Sequence, residues 1–297
     1  MFCPEGFSAA LPESSCFMNV FSFQKNYFVD RLAEEAARAG VDLRAFDTAA
    51  ISCMPSGMCC GGEHVPMDGS FYFRGSVDGG RRELVRSVSA FAEERGSHVV
   101  NPSWATAVSS NKWLCRQRLE GRGLPVPRGC LVSSRDGLPA AADALGGFPL
   151  LAKTLYGCGG TGVVLVSGMM EMRSVFDFMA STGAGFFFEE FVGPLGGCSK
   201  RALCIGGEIV AEFVMRPCVD DFRSNSAKGG RWTAGGLEDS ERMLALRAAG
   251  FCGLDFASVD MIDGIVLEVN SSPGIERAEA ETGRNIASIF LRAFCRV

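Results

Sequence analysis

Apolar positions along this chain recur with two periods, one of strands and one of helices. Towards the C-terminal end, Asp255 to Gly274 reads DFASVDMIDGIVLEVNSSPG. Two short apolar runs flank Asp263-Gly264, a dipeptide suited to a tight turn, so the stretch predicts a β-hairpin. Asp260 falls on the first arm, and Glu268 and Asn270 on the second. Period-two alternation puts Glu268 and Asn270 on one face. Towards the N-terminal end, Phe17 to Phe23 reads as a strand. Phe28, Val29, Leu32, Ala33 and Ala36 follow at helical spacing up to Gly40, and Val41 to Phe46 reads as a second strand. A βαβ opening of this kind predicts a parallel sheet covered by helices.

Residues 1–15 read as an irregular leader, and residues 51–70, rich in Gly, Cys, Met and Pro, as a loop. Strands are expected at Phe71 to Gly75 and Ser97 to Val100, with a helix between them that carries Leu84, Val85, Val88, Phe91 and Ala92. Ser109-Ser110-Asn111 reads as a helix N-cap before Lys112. Strands from Phe148 to Lys153 and Val163 to Val166 enclose a glycine-rich loop; Met172, Val175, Phe176 and Met179 then stripe a helix. Phe186 to Phe188 runs as a strand into Glu189-Glu190. Leu203 to Ile205 and Ile209 to Met215 form a hairpin that turns at Gly206-Gly207 and ends at Arg216. Glu238 to Ala249 predicts a helix ending at Gly250, and Ile286, Ile289, Phe290 and Phe294 a last one.

Two of these stretches carry chemistry. Asp260, Glu268 and Asn270 bring three hard oxygen donors to one hairpin, which suits Mg²⁺ or Mn²⁺ with phosphates completing the shell. Glu268 lies between apolar neighbours, where an unpaired carboxylate is costly. Lys153 precedes a loop containing Gly159, Gly160, Thr161 and Gly162; glycines admit phosphate oxygens close to backbone N–H groups, and lysine adds a compact charge. A plain β-hairpin needs glycine there too. The N-terminal α/β unit carries no G-x-G-x-x-G, so it is not a plain dinucleotide-binding domain, and no Gly-Lys-Ser/Thr closes the loop after Lys153, so no Walker A site is indicated.

At 297 residues the chain holds about two domains or an interlocked multi-lobe enzyme. A net charge of -5 speaks against a nucleic-acid partner. No apolar run reaches the ~20 residues of a membrane helix, and the N-terminal stretch lacks a basic region, so no membrane partner and no signal peptide are expected. Thirteen irregularly spaced cysteines read as reduced thiols of a cytoplasmic protein. A zinc set of Cys53, Cys59, Cys60 and His64 is conceivable, although its spacing fits no familiar pattern.

EVNSSPG, with an aspartate eight residues before its glutamate, resembles the metal-binding end of the ATP-grasp ligases, and most of all the ribosomal-protein-glutamate-ligase (RimK-like) branch. The resemblance covers roughly Lys112 to Ala287. It implies an α/β fold with α+β lobes, divided as 1–108, a Rossmann-like pre-ATP-grasp domain; 109–185, a lid subdomain; and 186–297, a subdomain with the metal site. It implies ATP and two Mg²⁺ or Mn²⁺ ions as cofactors, with Lys112 and Lys153 near the phosphates. The family's adenine hinge, roughly Q-E-F/Y-I/V, resembles Glu189, Glu190 and Phe191 followed by Val192. An Asp-x-Arg segment is here Ser199-Lys200-Arg201, keeping the arginine and losing the aspartate. DDFRSNSAKGG resembles a stretch that makes Arg216, Arg223, Asn225 and Lys228 contacts for carboxylate and phosphate, with Lys228 in place of an arginine. The implied reaction joins a carboxylate substrate to an amine acceptor (small molecule, peptide or protein) through an acylphosphate. A homo-oligomer is an expectation from related ligases. The alternative is an ATP-binding regulatory or assembly module.

Overall fold

The computed structural model describes residues 17–75, 78–157, 159–193, 198–216 and 231–295. The expected leader at 1–15 lies outside them.

The chain opens with β1 (Phe17–Ser22), α1 (Tyr27–Ala39) and β2 (Asp42–Asp47). Asn26 caps α1 by accepting from the Val29 N–H, and Gly40 ends it. Residues 51–70 are not simply a loop. They include β3 (Ile51–Met54), β4 (Gly57–Cys60) and β5 (Glu63–Val65), which form a small antiparallel sheet. Strands this short show no periodicity strong enough to read. Cys53, Cys59 and Cys60 are free thiols. Among the described residues no group of three or more His, Cys, Asp or Glu could hold a metal, so Cys53, Cys59, Cys60 and His64 do not converge. β6 (Ser70–Phe73), α2 (Gly79–Glu93) and β7 (His98–Val100) follow. β2, β1, β6 and β7, in that order, form a parallel sheet.

Next come α3 (Ser103–Ser110), α4 (Lys112–Glu120), β8 (Gly129–Cys130), α5 (Leu138–Ala144), β9 (Leu150–Thr154), β10 (Val163–Val166), α6 (Met169–Ser181) and β11 (Phe186–Glu190). Their strands pair antiparallel in the order β10-β9-β11-β8. The Met172 and Phe176 stripe of α6 packs on them with Leu138 of α5.

The last lobe holds β12 (Ser199–Ile205), β13 (Glu208–Arg216), β14 (Arg231–Ala234), α7 (Asp239–Cys252), β15 (Phe256–Ile262), β16 (Ile265–Asn270), α8 (Glu276–Thr282) and α9 (Ile286–Phe294). Its sheet runs β14-β13-β12-β15-β16. α7 passes through Gly250 and is capped at Gly253 (φ 71°), three residues beyond the expected end. The Trp104 ring lies over Gly253, where a Cβ would come within 2.2 Å of it.

Alternation divides this sheet between two cores. Ala202, Cys204, Ala257, Val259 and Met261 pack towards α4 and α7. Leu203, Ile205 and Phe256 pack towards α9 and join Met18 and Val20 of β1, Phe28 of α1 and Tyr72 of β6 in a single cluster. The first and last lobes therefore share a core. Among the described residues no helix is long and apolar enough to cross a membrane.

Candidate active site

The β15–β16 hairpin forms as its sequence predicts. Asp263 (φ 46°) and Gly264 (φ 74°) both take the left-handed conformation that a two-residue turn of the right twist requires. In the resulting register Asp260 stands opposite Glu268, and Ser258 opposite Asn270. β12 places Arg201 opposite Asp260 from the other side. Arg201, Asp260 and Glu268 thus form one row across three strands. Arg201 grips Asp260 with two bonds, Nε to Oδ1 at 2.5 Å and Nη2 to Oδ2 at 2.6 Å. Ser258 Oγ, buried beside this row, has no hydrogen-bond partner among the described residues.

Lys112 reaches the other end of the row. Asn111 caps α4 by accepting from the Trp113 and Leu114 N–H groups, 3.1 Å each, and this aims the first residue of the helix at the sheet. The Lys112 ammonium pairs with Glu268. Burial works against the Glu268 charge, but Lys112, with Lys153 and Arg201 further off, outweighs it and holds the carboxyl below its ordinary range. Burial likewise opposes the Lys112 charge, and Glu268 raises its pKa despite this.

Lys153, near the end of β9, pairs with Glu189 of β11, whose side chain is 4% exposed. Burial dominates at Glu189 and pushes its pKa up, with Lys153 pulling the other way. Glu190 instead faces outward and accepts from the Arg128 N–H at 2.7 Å and its Nε at 2.6 Å. Phe191 follows directly and is half-buried.

The glycine-rich loop starts against α4. Lys112 N–H donates to the Leu155 carbonyl at 2.8 Å, and Asn111 Nδ2 to the Tyr156 hydroxyl at 3.2 Å. Gly159, Gly160, Thr161 and Gly162 form the turn between β9 and β10. A Cβ on Gly162 (φ 75°) would lie 2.2 Å from Thr154 Oγ1, so this glycine is required by the turn itself.

Lys112, Lys153, Glu189, Arg201, Asp260 and Glu268 are thereby brought together. Asn270 shares a cleft with Glu268. Arg216 is not brought in. It ends β13 three residues past Phe213, the partner of Arg201, roughly 10 Å along the strand, and its Nη1 donates to Cys198 Sγ at 3.5 Å. Arg223, Asn225 and Lys228 lie outside the described residues. Sequence reasoning missed the near wall of the cleft, formed by Arg74, Arg82 and Arg86. The spacing of Arg82 and Arg86, four residues apart on one helix, was the available signal.

A family model described as a RimK-like ATP-grasp domain matches residues 109–294. The chain is 36% identical over 197 residues to the probable alpha-L-glutamate ligase of Klebsiella pneumoniae (strain 342), covering 65% of this chain and 66% of that protein. It is 35% identical over 204 residues to the ribosomal protein bS6–L-glutamate ligase of Escherichia coli O81 (strain ED1a), covering 67% of this chain and 68% of that protein. The match thus spans about two thirds of each curated relative. Among solved structures, the ATP-grasp ligase PsnB complexed with a phosphomimetic variant of its minimal precursor, Mg and ADP superposes with a TM-score of 0.72. Its identity is 20%, over 94% of this chain and 97% of that one, so this likeness speaks for the fold. With the family model covering more than half of the sequence and two curated relatives at about 35% identity, the chain belongs to the RimK-like ATP-grasp family of carboxylate–amine ligases.

Proposed function

We infer that the chain uses ATP to activate a carboxylate and joins it to an amine, giving an amide or peptide bond, ADP and phosphate. The observation that carries this reading is the row Arg201, Asp260, Glu268, met by Lys112. Carboxylates held beside fixed cations are the groups that a metal-bound triphosphate needs. The donor set fits a hard cation, with two carboxylates, an amide and the orphaned Ser258 hydroxyl close by, and neither thiolate nor imidazole among them. Asp260, Glu268 and Asn270 would hold Mg²⁺ or Mn²⁺, as one or two ions. When bound, the metal supplies charge neutralisation for the phosphoryl oxygens.

Lys112, Lys153 and the backbone from Gly159 to Gly162 would bind the phosphates, and Arg201 and Lys228 would assist them. The end of β11, with Glu189, Glu190 and Phe191, would hold the adenine. Each lysine is already paired with a carboxylate, so nucleotide binding exchanges partners within a pre-set field instead of assembling charge from solvent. A carboxylate oxygen of the substrate attacks the γ-phosphorus, a new P–O bond forms and the β–γ P–O bond breaks, releasing ADP. The amine nitrogen then attacks the acyl carbon. A C–N bond forms, the C–O bond breaks, phosphate leaves and the nitrogen gives up a proton. Arg223 and Asn225 would orient the acylphosphate. No side-chain nucleophile takes part, which leaves the cysteines outside the chemistry.

Two curated relatives bear the names of glutamate ligases, one of them for a ribosomal protein, and PsnB was solved with a precursor. This supports an amino acid of glutamate type and a peptide or protein acceptor. The test is ADP release from Mg-ATP with pools of amino acids and peptides, beside Glu268→Ala. Release should depend on particular pools and fall on the order of 10²–10³-fold in the variant. A variant that turns over at the parent rate would overturn the assignment of Glu268.

A further inference from the structure

The cleft beside Glu268 and Asn270, with about 240 Å³ of room, has a second wall that the proposed chemistry leaves without a role. Arg74, Arg82 and Arg86 line it from the N-terminal lobe. Arg74 donates through Nη1 to neutral oxygens: the Ser272 carbonyl at 2.8 Å, its hydroxyl at 3.0 Å, and the Pro273 carbonyl at 2.8 Å. These bonds fix the guanidinium and pin the segment after β16 without cancelling its charge. Arg82 lies over the Tyr156 ring, Cζ 3.9 Å from the centroid, so it is tied to the start of the glycine-rich loop. Arg86 bonds to Glu83 at the exposed rim, 3.0 and 3.1 Å. Its Nε, closed off from solvent, has no hydrogen-bond partner among the described residues.

Arg82 and Arg86 are one helical turn apart, an arrangement of like charges that weakens a helix. A chain of net charge -5 nonetheless gathers three guanidiniums into this one cleft. Planar guanidinium forks match carboxylates. The cleft is smaller than the ~300–1,000 Å³ of drug-sized ligand pockets, which suits an amino acid or the end of a peptide.

We propose that Arg82 and Arg86, with Arg74 fixed behind them, form a subsite for a carboxylate that the reaction does not consume. This rests on the ligase reading and deepens it. A substrate reacting beside Glu268 and Asn270 would extend its second anionic group to the arginine wall, so the ligand is an acidic amino acid, either free or as a residue of a peptide.

Isothermal titration of the full chain holding Mg-ADP tests the subsite, with L-glutamate, L-glutamine and triglutamate as probes. At least one acidic probe should bind tenfold or more tightly than L-glutamine, and which of the two does so separates a free amino acid from a peptide. Arg86→Met should abolish that preference and Arg86→Lys should restore part of it, with Mg-ADP titration as the check that each variant is folded. Equal binding of acidic and neutral probes, or a preference that survives Arg86→Met, would overturn the subsite alone. A chain that binds no Mg-ADP would overturn the ligase reading and the subsite with it.

Discussion

Lys153 and Glu189 face one another diagonally across β9 and β11, both largely withdrawn from water. Removing the lysine leaves a buried carboxylate alone, so Lys153→Met should cost about 3–5 kcal/mol of stability in urea unfolding. The double variant Lys153→Met/Glu189→Gln should recover most of that loss, since the orphaned charge is gone. Mg-ATP affinity should stay low in both. Parent-like affinity in the folded double variant would make Lys153 a purely structural residue. The sequence pointed to Lys153 as a phosphate contact through the glycine-rich loop it precedes, and to Glu189 as an adenine contact through family resemblance, but not to their pairing. Partners 36 residues apart in the chain (and 59 for Arg201 and Asp260) meet only through strand register, which no local spacing encodes.

Elements were legible where the turn chemistry was strong. The Asp263-Gly264 hairpin could be read because few residue pairs tolerate two successive left-handed conformations. The glycine-rich loop also formed where expected, and Gly162 there serves the turn whether or not phosphate binds. Gly162→Ala places a Cβ against Thr154 and forces an alanine to positive φ. It should lower stability by at least about 1 kcal/mol in thermal or chemical unfolding. Unchanged stability would mean that the turn re-forms around the methyl group. The three strands within residues 51–70 were missed for the opposite reason, being three or four residues long and mixed in polarity. The end of α7 was misplaced because Gly250 looks like a stop, whereas Trp104, distant in sequence, selects Gly253.

At the scale of the whole molecule, the contacts that join the first and last lobes include an aromatic cluster and an ionic clasp. Phe290 of α9 packs edge-on against Phe28, Tyr72 and Phe256, which come from three different elements. Phe290→Ala should cost about 3–5 kcal/mol, and fluorescence and circular dichroism should report a single transition. Separate transitions for the two lobes would contradict a shared core. The clasp is Glu279, which accepts from the Tyr27 hydroxyl at 2.7 Å, Arg31 Nε at 2.9 Å and the Ala287 N–H at 3.1 Å. Burial opposes its charge, yet these donors hold the carboxyl below its ordinary value. Its contribution is therefore complete above the unfolded carboxyl pKa of ~4.3 and is lost as pH falls through the lower folded value. Glu279→Gln should lose about 1–3 kcal/mol at neutral pH, with a shallower acid limb in urea unfolding. An unchanged acid limb would remove Glu279 from the clasp.

The central claim is that ATP phosphorylates a carboxylate beside the Arg201, Asp260, Glu268 row. It is tested most directly by following the carboxylate oxygen. Amino-acid and peptide pools labelled with heavy oxygen in their carboxylates would be incubated with the chain and Mg-ATP, and the released phosphate analysed by mass spectrometry. An acylphosphate that yields to an amine hands one labelled oxygen to each phosphate, in step with the amide bonds formed. Phosphate released without label would mean that water takes the phosphoryl group, and would contradict carboxylate activation by this chain.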